Sequence, residues 1–371
     1  MIGAWARERA RERVAALSAM RLADRDLRRQ VLAVLREVLD FSAYVWLLTD
    51  PVTTVGTAPL ADVPCVTELP ALIKAKYATP VNRWTVLSAQ SLPTGLLSDA
   101  VGGDLARSLV WREVMSQYGI GDVASTVFAD RYGCWSFLDL WRDEASGPFS
   151  AADAEFVASL AAPLTTALRG CQARTFIEPA TVHRRSVAPV VLTLDEDLRI
   201  IGRTAASGAW LDALLPPEPD ERAIPAGAYN VAAQLLATEE GIDDHQAFAR
   251  THLADGFWLT LRAARLASDS GPDLRAAAGP ALVVTIEETS AAERVDIFGR
   301  AFGFTARERE VLGLLATGSD TRTMARRMSL SEHTVGDHLK SIFAKTGSRD
   351  RVTVLSRALG TKSPAGGAAA G

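Results

Sequence analysis

Near the end of the chain, Glu332, His333, Gly336, Asp337 and Lys340 recur every three or four positions, and Ser331 stands before them as a helix cap. The complementary positions, Val335, Leu339, Ile342 and Phe343, are apolar at i, i+4, i+7 and i+8. A helix built this way is anchored along one side and offers the other to a partner. An ammonium and a carboxylate on that offered side can meet the donors and acceptors of base edges, and a major groove is wide enough to admit the helix. His338 is as well suited to packing or capping as to touching DNA.

The elements that must hold this face are legible around it. Thr305-Ala306-Arg307-Glu308 is a capping box, Val311, Leu312, Leu314 and Leu315 form a buried stripe, and Gly318 stops that first helix. Asp320 caps a second helix, Thr321 to Met328, with Met324 facing the core and Ala325 small enough for close approach. Gly347 ends the third helix, and Arg349 to Leu359 make a fourth. Thr305-x-Arg307-Glu308-x-Glu310-Val311-Leu312, then Gly318, Ala325, Ser331-x-x-Thr334-Val335-x-x-His338, Ile342 and Lys345 follow in order and without gaps. Together they resemble the helix-turn-helix domain of the LuxR family of transcription regulators. The resemblance implies a third helix in the major groove, a second across the backbone, and two copies on related half-sites. It implies a DNA-contacting set of Thr321, Arg322, Thr334, Val335, Gly336, Asp337, His338, Lys340, Lys345 and Arg349, with Lys340 where the family uses lysine.

Two positions depart from the family. Where lysine often follows Thr-Val, this chain has Gly336, which removes a contact and costs about 1 kcal/mol of helix propensity relative to alanine. The next residue, Asp337, is repelled by phosphate, though a carboxylate can accept from cytosine N4.

Charge divides along the chain as these motifs do. The formal net charge is −4, yet residues 300–362 hold twelve lysines and arginines against six acids, so they carry +6 and the remainder −10. A DNA backbone is drawn to the one and repelled by the other. At 371 residues, with 48% hydrophobic and 23% charged side chains, the chain is long and apolar enough for two or three cores. No run approaches 18 apolar residues and the charged start is no signal segment, so a cytoplasmic location without membrane contact is expected. Cys65, Cys134 and Cys171 form no close pair and the histidines have no ligand spacing, so no metal or cofactor is expected.

The rest of the chain reads as α+β. The first forty residues read as helix, with 1–24 set apart as an N-terminal helix; Arg7, Arg9, Arg11, Arg13, Arg21, Arg25, Arg28 and Arg29 suit a solvated face or, alternatively, a nucleic-acid arm, and Leu27, Val31, Val34, Leu35 and Val38 form the packing stripe. Tyr44 to Leu48 reads as a strand stopped by Asp50-Pro51, and Cys134 to Trp141 as a strand covered on both faces. Gly147-Pro148-Phe149 makes a turn, Ser150 and Asp153 form a capping box, and Phe156, Val157, Leu160, Leu164 and Leu168 fall on one face of the single helix that follows. This succession is similar to a GAF-type sensor domain over residues 25–171. Strands at Val190–Leu194, Leu198–Ile201, Phe257–Arg262 and Ala281–Ile286, with a helix near Ala205 to Leu215, are similar in order to a PAS domain over 187–290.

The expected architecture is therefore multidomain: GAF-like then PAS-like α+β regions, an all-α four-helix domain at 300–362, and a disordered tail at 363–371. Trp46, Trp84, Trp111, Trp135 and Trp141 are either core or the wall of a cavity for a small apolar or aromatic ligand. No Gly-rich phosphate loop, GxSxG elbow or paired nucleophile is present in the sequence, so an enzyme is not expected. The expected partners are double-stranded DNA and a second copy of the chain. The alternative is a signalling adaptor that keeps the fold but binds a protein.

Overall fold

The computed structural model describes residues 4–177, 190–208, 211, 225–253, 257–266 and 282–361. The chain divides into two compact units. The first comprises Met1–Leu168, Ser186–Thr251 and Leu259–Glu287; the second comprises Arg169–Arg185, His252–Trp258 and Glu288–Gly371.

The first unit opens with α1 (Ala4–Ala19) and α2 (Asp24–Arg36). The stripe on α2 packs as its spacing requires: Leu27, Val31, Val34 and Leu35 are all buried, followed by Val38. One arginine departs from the expected solvated face. Arg28 is 1% exposed and donates to the carbonyls of Trp46 and Ala58, with Asp24 as its ion-pair partner, so it fastens the helix to the sheet. Next come β1 (Ala43–Thr49), β2 (Gly56–Asp62), α3 (Leu69–Ala78), α4 (Trp84–Leu87), β3 (Thr94–Leu96), α5 (Leu97–Ala100), α6 (Leu109–Glu113), β4 (Ile120–Asp130) and β5 (Gly133–Asp143). The sheet is antiparallel in the order β2-β1-β5-β4-β3. β5 is buried on both faces, with Trp135, Phe137 and Trp141 on one and Leu138 and Leu140 on the other. Both bonds of the Ser150/Asp153 capping box form, opening α7 (Ala151–Ser159), and α8 (Ala161–Arg174) follows. The single helix expected here is thus two.

The second sheet holds β6 (Val190–Leu194), β7 (Ile200–Arg203), β8 (Phe248–His252), β9 (Trp258–Arg265) and β10 (Leu282–Glu288), in the order β7-β6-β10-β9-β8; α9 (Ala226–Glu239) lies between β7 and β8 in the chain. Both sheets thus place their first strand between the second and the fifth. Most of the helix expected near Ala205 to Leu215, and the tail after 361, lie outside the described residues.

Buried ion pairs join the two α+β regions within this unit. Arg250 donates through Nε and a terminal nitrogen to the two oxygens of Asp50, at 2.6 and 3.0 Å, and the Arg250 amide adds a third bond. Arg83 meets Asp243 at 2.7 Å, with both side chains 2% exposed. Burial alone would keep the Asp243 carboxyl protonated, but bonds from His245 and Arg83 outweigh it and pull its pKa well below the usual range. Asp50 was legible in sequence only as a strand stop.

The second unit is helical: α10 (Ala291–Ala301), α11 (Ala306–Ala316), α12 (Thr321–Met328), α13 (Glu332–Thr346) and α14 (Arg351–Leu359). The four helices expected from Thr305 onward are present, preceded by α10, which packs on α11 and α14. Its own capping box, Ser290 with Glu293, is complete. The aromatic core of this unit draws on distant sequence: Phe176 stacks on Trp258 at 5.1 Å and meets Phe298 edge-on at 5.3 Å. Arg294 lies over the Phe176 ring at 5.0 Å, and burial lowers its guanidinium pKa to about 10. Among the described residues, no helix is long and apolar enough to cross a membrane.

Candidate nucleic-acid interface

The three helices that frame the interface start on side-chain caps. Thr305 and Glu308 exchange both bonds of the capping box. Asp320 accepts from the Thr323 amide at 2.7 Å, and Ser331 from the Thr334 amide at 3.1 Å. Between α12 and α13 the chain turns at Ser329, whose φ of 55° is left-handed. α12 buries Met324, Ala325 and Met328 and leaves Arg322, Arg326 and Arg327 exposed. α13 buries Val335, Leu339 and Ile342.

Opposite that buried seam, Glu332, His333, Asp337 and Lys340 are exposed. Gly336 and His338 are half-buried, as is Thr334, whose hydroxyl pairs with that of Ser331 at 2.9 Å. Asp337 accepts from Lys340 Nζ at 3.0 Å and lies 3.5 Å from His333 Nε2, and the Lys340 bond leads the causes that lower its carboxyl pKa. An added Cβ at Gly336 would meet nothing within 4 Å, so packing does not require glycine there.

Several residues of the expected DNA-contacting set make contacts within the domain. Val335 is fully buried, so it anchors α13 and has no surface for a base. Lys345 is turned onto α11, where its ammonium meets Glu308 at 2.6 Å and the Gly303 carbonyl at 3.1 Å. Thr321 accepts from Arg351 at 2.6 Å, tying α12 to α14. Arg322 and Arg349 remain exposed, as a phosphate contact needs.

Glu308 is the hub of the inward network. It takes bonds from the Thr305 amide, from Ser341 and from Lys345, each at 2.6 Å, with its side chain only 4% exposed. Burial opposes its charge, but these three donors outweigh burial and lower its pKa to about 2. Sequence reading found the capping half of this role. The two contacts from α13 lie 33 and 37 residues away, where no local pattern reports them.

The tryptophans of the first unit are packed into its core. Trp46 stacks on Phe128 and donates to Ser136; Trp84 stacks on Phe137 at 4.0 Å; Trp135 donates to Asp130; Trp141 is 1% exposed. Trp111 is partly buried and donates to the Ile120 carbonyl at 2.7 Å. A cavity of about 20 Å³ lies between α3 and β4, large enough for one water molecule. Its lining is polar and aliphatic, including Lys76, Asn82, Ser108, Met115 and Ser125, and contains none of the five tryptophans. Beside it Lys76 pairs with the buried Asp139 at 2.8 Å.

Among the described residues, Asp243, Asp244 and His245 bring ligand-capable atoms within 4.8 Å of one another. Arg83 already places a cation on Asp243, and Asp244 is fully exposed, so the donor set is poorly matched to a metal ion.

Residues 303–358 match the family model of bacterial regulatory proteins, luxR family. The monoamine regulon transcriptional regulator of Klebsiella aerogenes is 42% identical over 53 residues, 14% of this chain and 23% of that protein. A probable HTH-type transcriptional regulator of Streptomyces halstedii is 36% identical over 85 residues, 20% of this chain and 35% of that protein. The chain thus spans about a quarter to a third of the length of these relatives, and the C-terminal domain is of the luxR helix-turn-helix type.

Proposed function

We propose that this protein is a DNA-binding transcription regulator in which α13 enters the major groove and the first unit responds to a small ligand or a protein partner. The observation that carries the reading is the exposed face of α13, with Lys340 outward and the buried seam behind it, on a domain of surplus positive charge. Arg322 and Arg349 supply phosphate contacts on either side. The protein works as a homodimer on two related half-sites. The GAF-like region, 25–171, and the PAS-like region, 187–290, act as the sensor, and the packed tryptophans favour a partner or a small polar ligand over an aromatic one.

The test is binding to DNA upstream of the protein's own gene. Lys340→Ala should weaken binding and alter the slope of log K against log salt, whereas loss of a phosphate contact such as Arg322 alone should reduce that slope by about 1. If neither changes, the groove assignment is wrong.

One observation favours a second reading, a signalling adaptor that keeps the fold and binds protein: Asp337 sits on the face that would meet the groove and holds Lys340. Failure to retard any duplex at low salt, with the full-length chain, would select it.

A further inference from the structure

Asp337 and Lys340 present a carboxylate oxygen and an ammonium 3.0 Å apart on one exposed face of α13. In the major groove, a cytosine·guanine pair presents the N4 amine beside the O6 oxygen, themselves separated by a hydrogen-bond length of about 2.9 Å. The protein's acceptor and donor therefore have the same spacing as the base pair's donor and acceptor. We propose that Asp337 and Lys340 act together as a reader of a single C·G pair in each half-site, Asp337 accepting from cytosine N4 and Lys340 donating to guanine O6 and N7. The inference rests on the reading of α13 as a groove-entering helix.

Three features support the pairing over an independent lysine. A solitary aspartate facing phosphates is repelled, whereas one bonded to Lys340 and flanked by His333 is held as half of a neutral unit. Gly336, whose missing side chain the packing does not require, clears the helix surface next to the pair. The unit is also directional. Turning the base pair around sets the carboxylate against guanine O6 and N7 and the ammonium against the amine, so the reversed pair is rejected by repulsion as well as by lost bonds. An A·T pair with adenine on the Asp337 side offers an amine and one oxygen but no second acceptor for Lys340, and it adds the thymine methyl. The order of preference is C·G, then A·T, with reversed G·C last.

The test uses the full-length chain in binding-site selection from random duplexes, followed by titration of the selected duplex with each base pair substituted in turn. The expected result is one C·G position per half-site whose reversal weakens binding by about 5- to 150-fold, the range of one good base contact. Asp337→Ala should flatten preference at that position alone and raise affinity for unselected DNA, because a negative charge is gone. Asp337→Asn should move the preference toward adenine, which an amide reads through N6 and N7. If Asp337→Ala selects the same sites with the same penalty at every position, the paired reading is overturned while the DNA-reading helix stands. If the unaltered chain selects no sequence, both fall together.

Discussion

Replacing Glu308 with glutamine tests whether the network that ties α13 to α11 is electrostatic in origin. The carboxylate is nearly fully buried, accepts from Thr305, Ser341 and Lys345, and has its pKa lowered from 4.5 to about 2. At about 1.4 kcal/mol per pH unit, that depression corresponds to about 3 kcal/mol of stabilisation of the charged form in the folded state. Glutamine retains one acceptor oxygen, so Glu308→Gln should cost about 2 kcal/mol at pH 7, part of that from leaving Lys345 without its carboxylate. Because the folded pKa lies below the unfolded one, the contribution is complete above pH 4.5 and is lost as pH falls through about 2. The difference between the two proteins should therefore narrow below pH 4.5, with less than half remaining at pH 3. Native-state hydrogen exchange on the full-length chain, read at the amides of α11 and α13, measures it locally. A variant within about 0.5 kcal/mol of the unaltered protein at pH 7, the scatter of ordinary surface changes, would refute the argument. So would a difference that stays constant from pH 7 to pH 3.

Other consequences are independent of that network. Gly336→Ala should stabilise α13 by about 0.5 to 1 kcal/mol, since the backbone is helical and the Cβ enters open space; slower exchange of the α13 amides is the readout. Asp50→Asn should destabilise the first unit by about 3 to 5 kcal/mol, because it removes the charge facing a 3%-exposed Arg250 side chain; a lowered thermal midpoint for that unit checks it. Cys65 and Cys134 are buried, with thiol pKa values raised to about 11, so alkylation at pH 7 should be negligible until denaturant opens the first unit.

What the sequence showed best was local. Caps such as Thr305/Glu308, Ser150/Asp153 and Ser331 are decided within four residues, and the apolar seam of α13 is a single periodicity. The same rule would have found α10, since Ser290-x-x-Glu293 is its start signal. Strand β4, Ile120 to Asp130, was harder because it is buried on both faces and shows no alternation. Of the charged side chains that depart from expectation, Asp50 and Lys345 have partners 200 and 37 residues away, and Arg28, whose ion-pair partner Asp24 is local, donates to carbonyls 18 and 30 residues on. Charge alone reads as exposure until its partner is known. The likeness to the luxR domain fixed where Lys345 stands but not which way it points.

Phe176 and Trp258, far apart in the chain and both remote from the helices after Glu288, complete the aromatic core around Phe298. The packing of α10 therefore draws on stretches of chain well before the luxR-type segment. A chimaera joined at a single breakpoint near residue 290 would inherit all of the luxR-type helices and lose both the Phe176 ring that Phe298 meets and the Trp258 ring stacked on it. Recombination that respects this protein's architecture has to carry three separate stretches at once, which ties the inheritance of its helix-turn-helix unit to that of two distant segments.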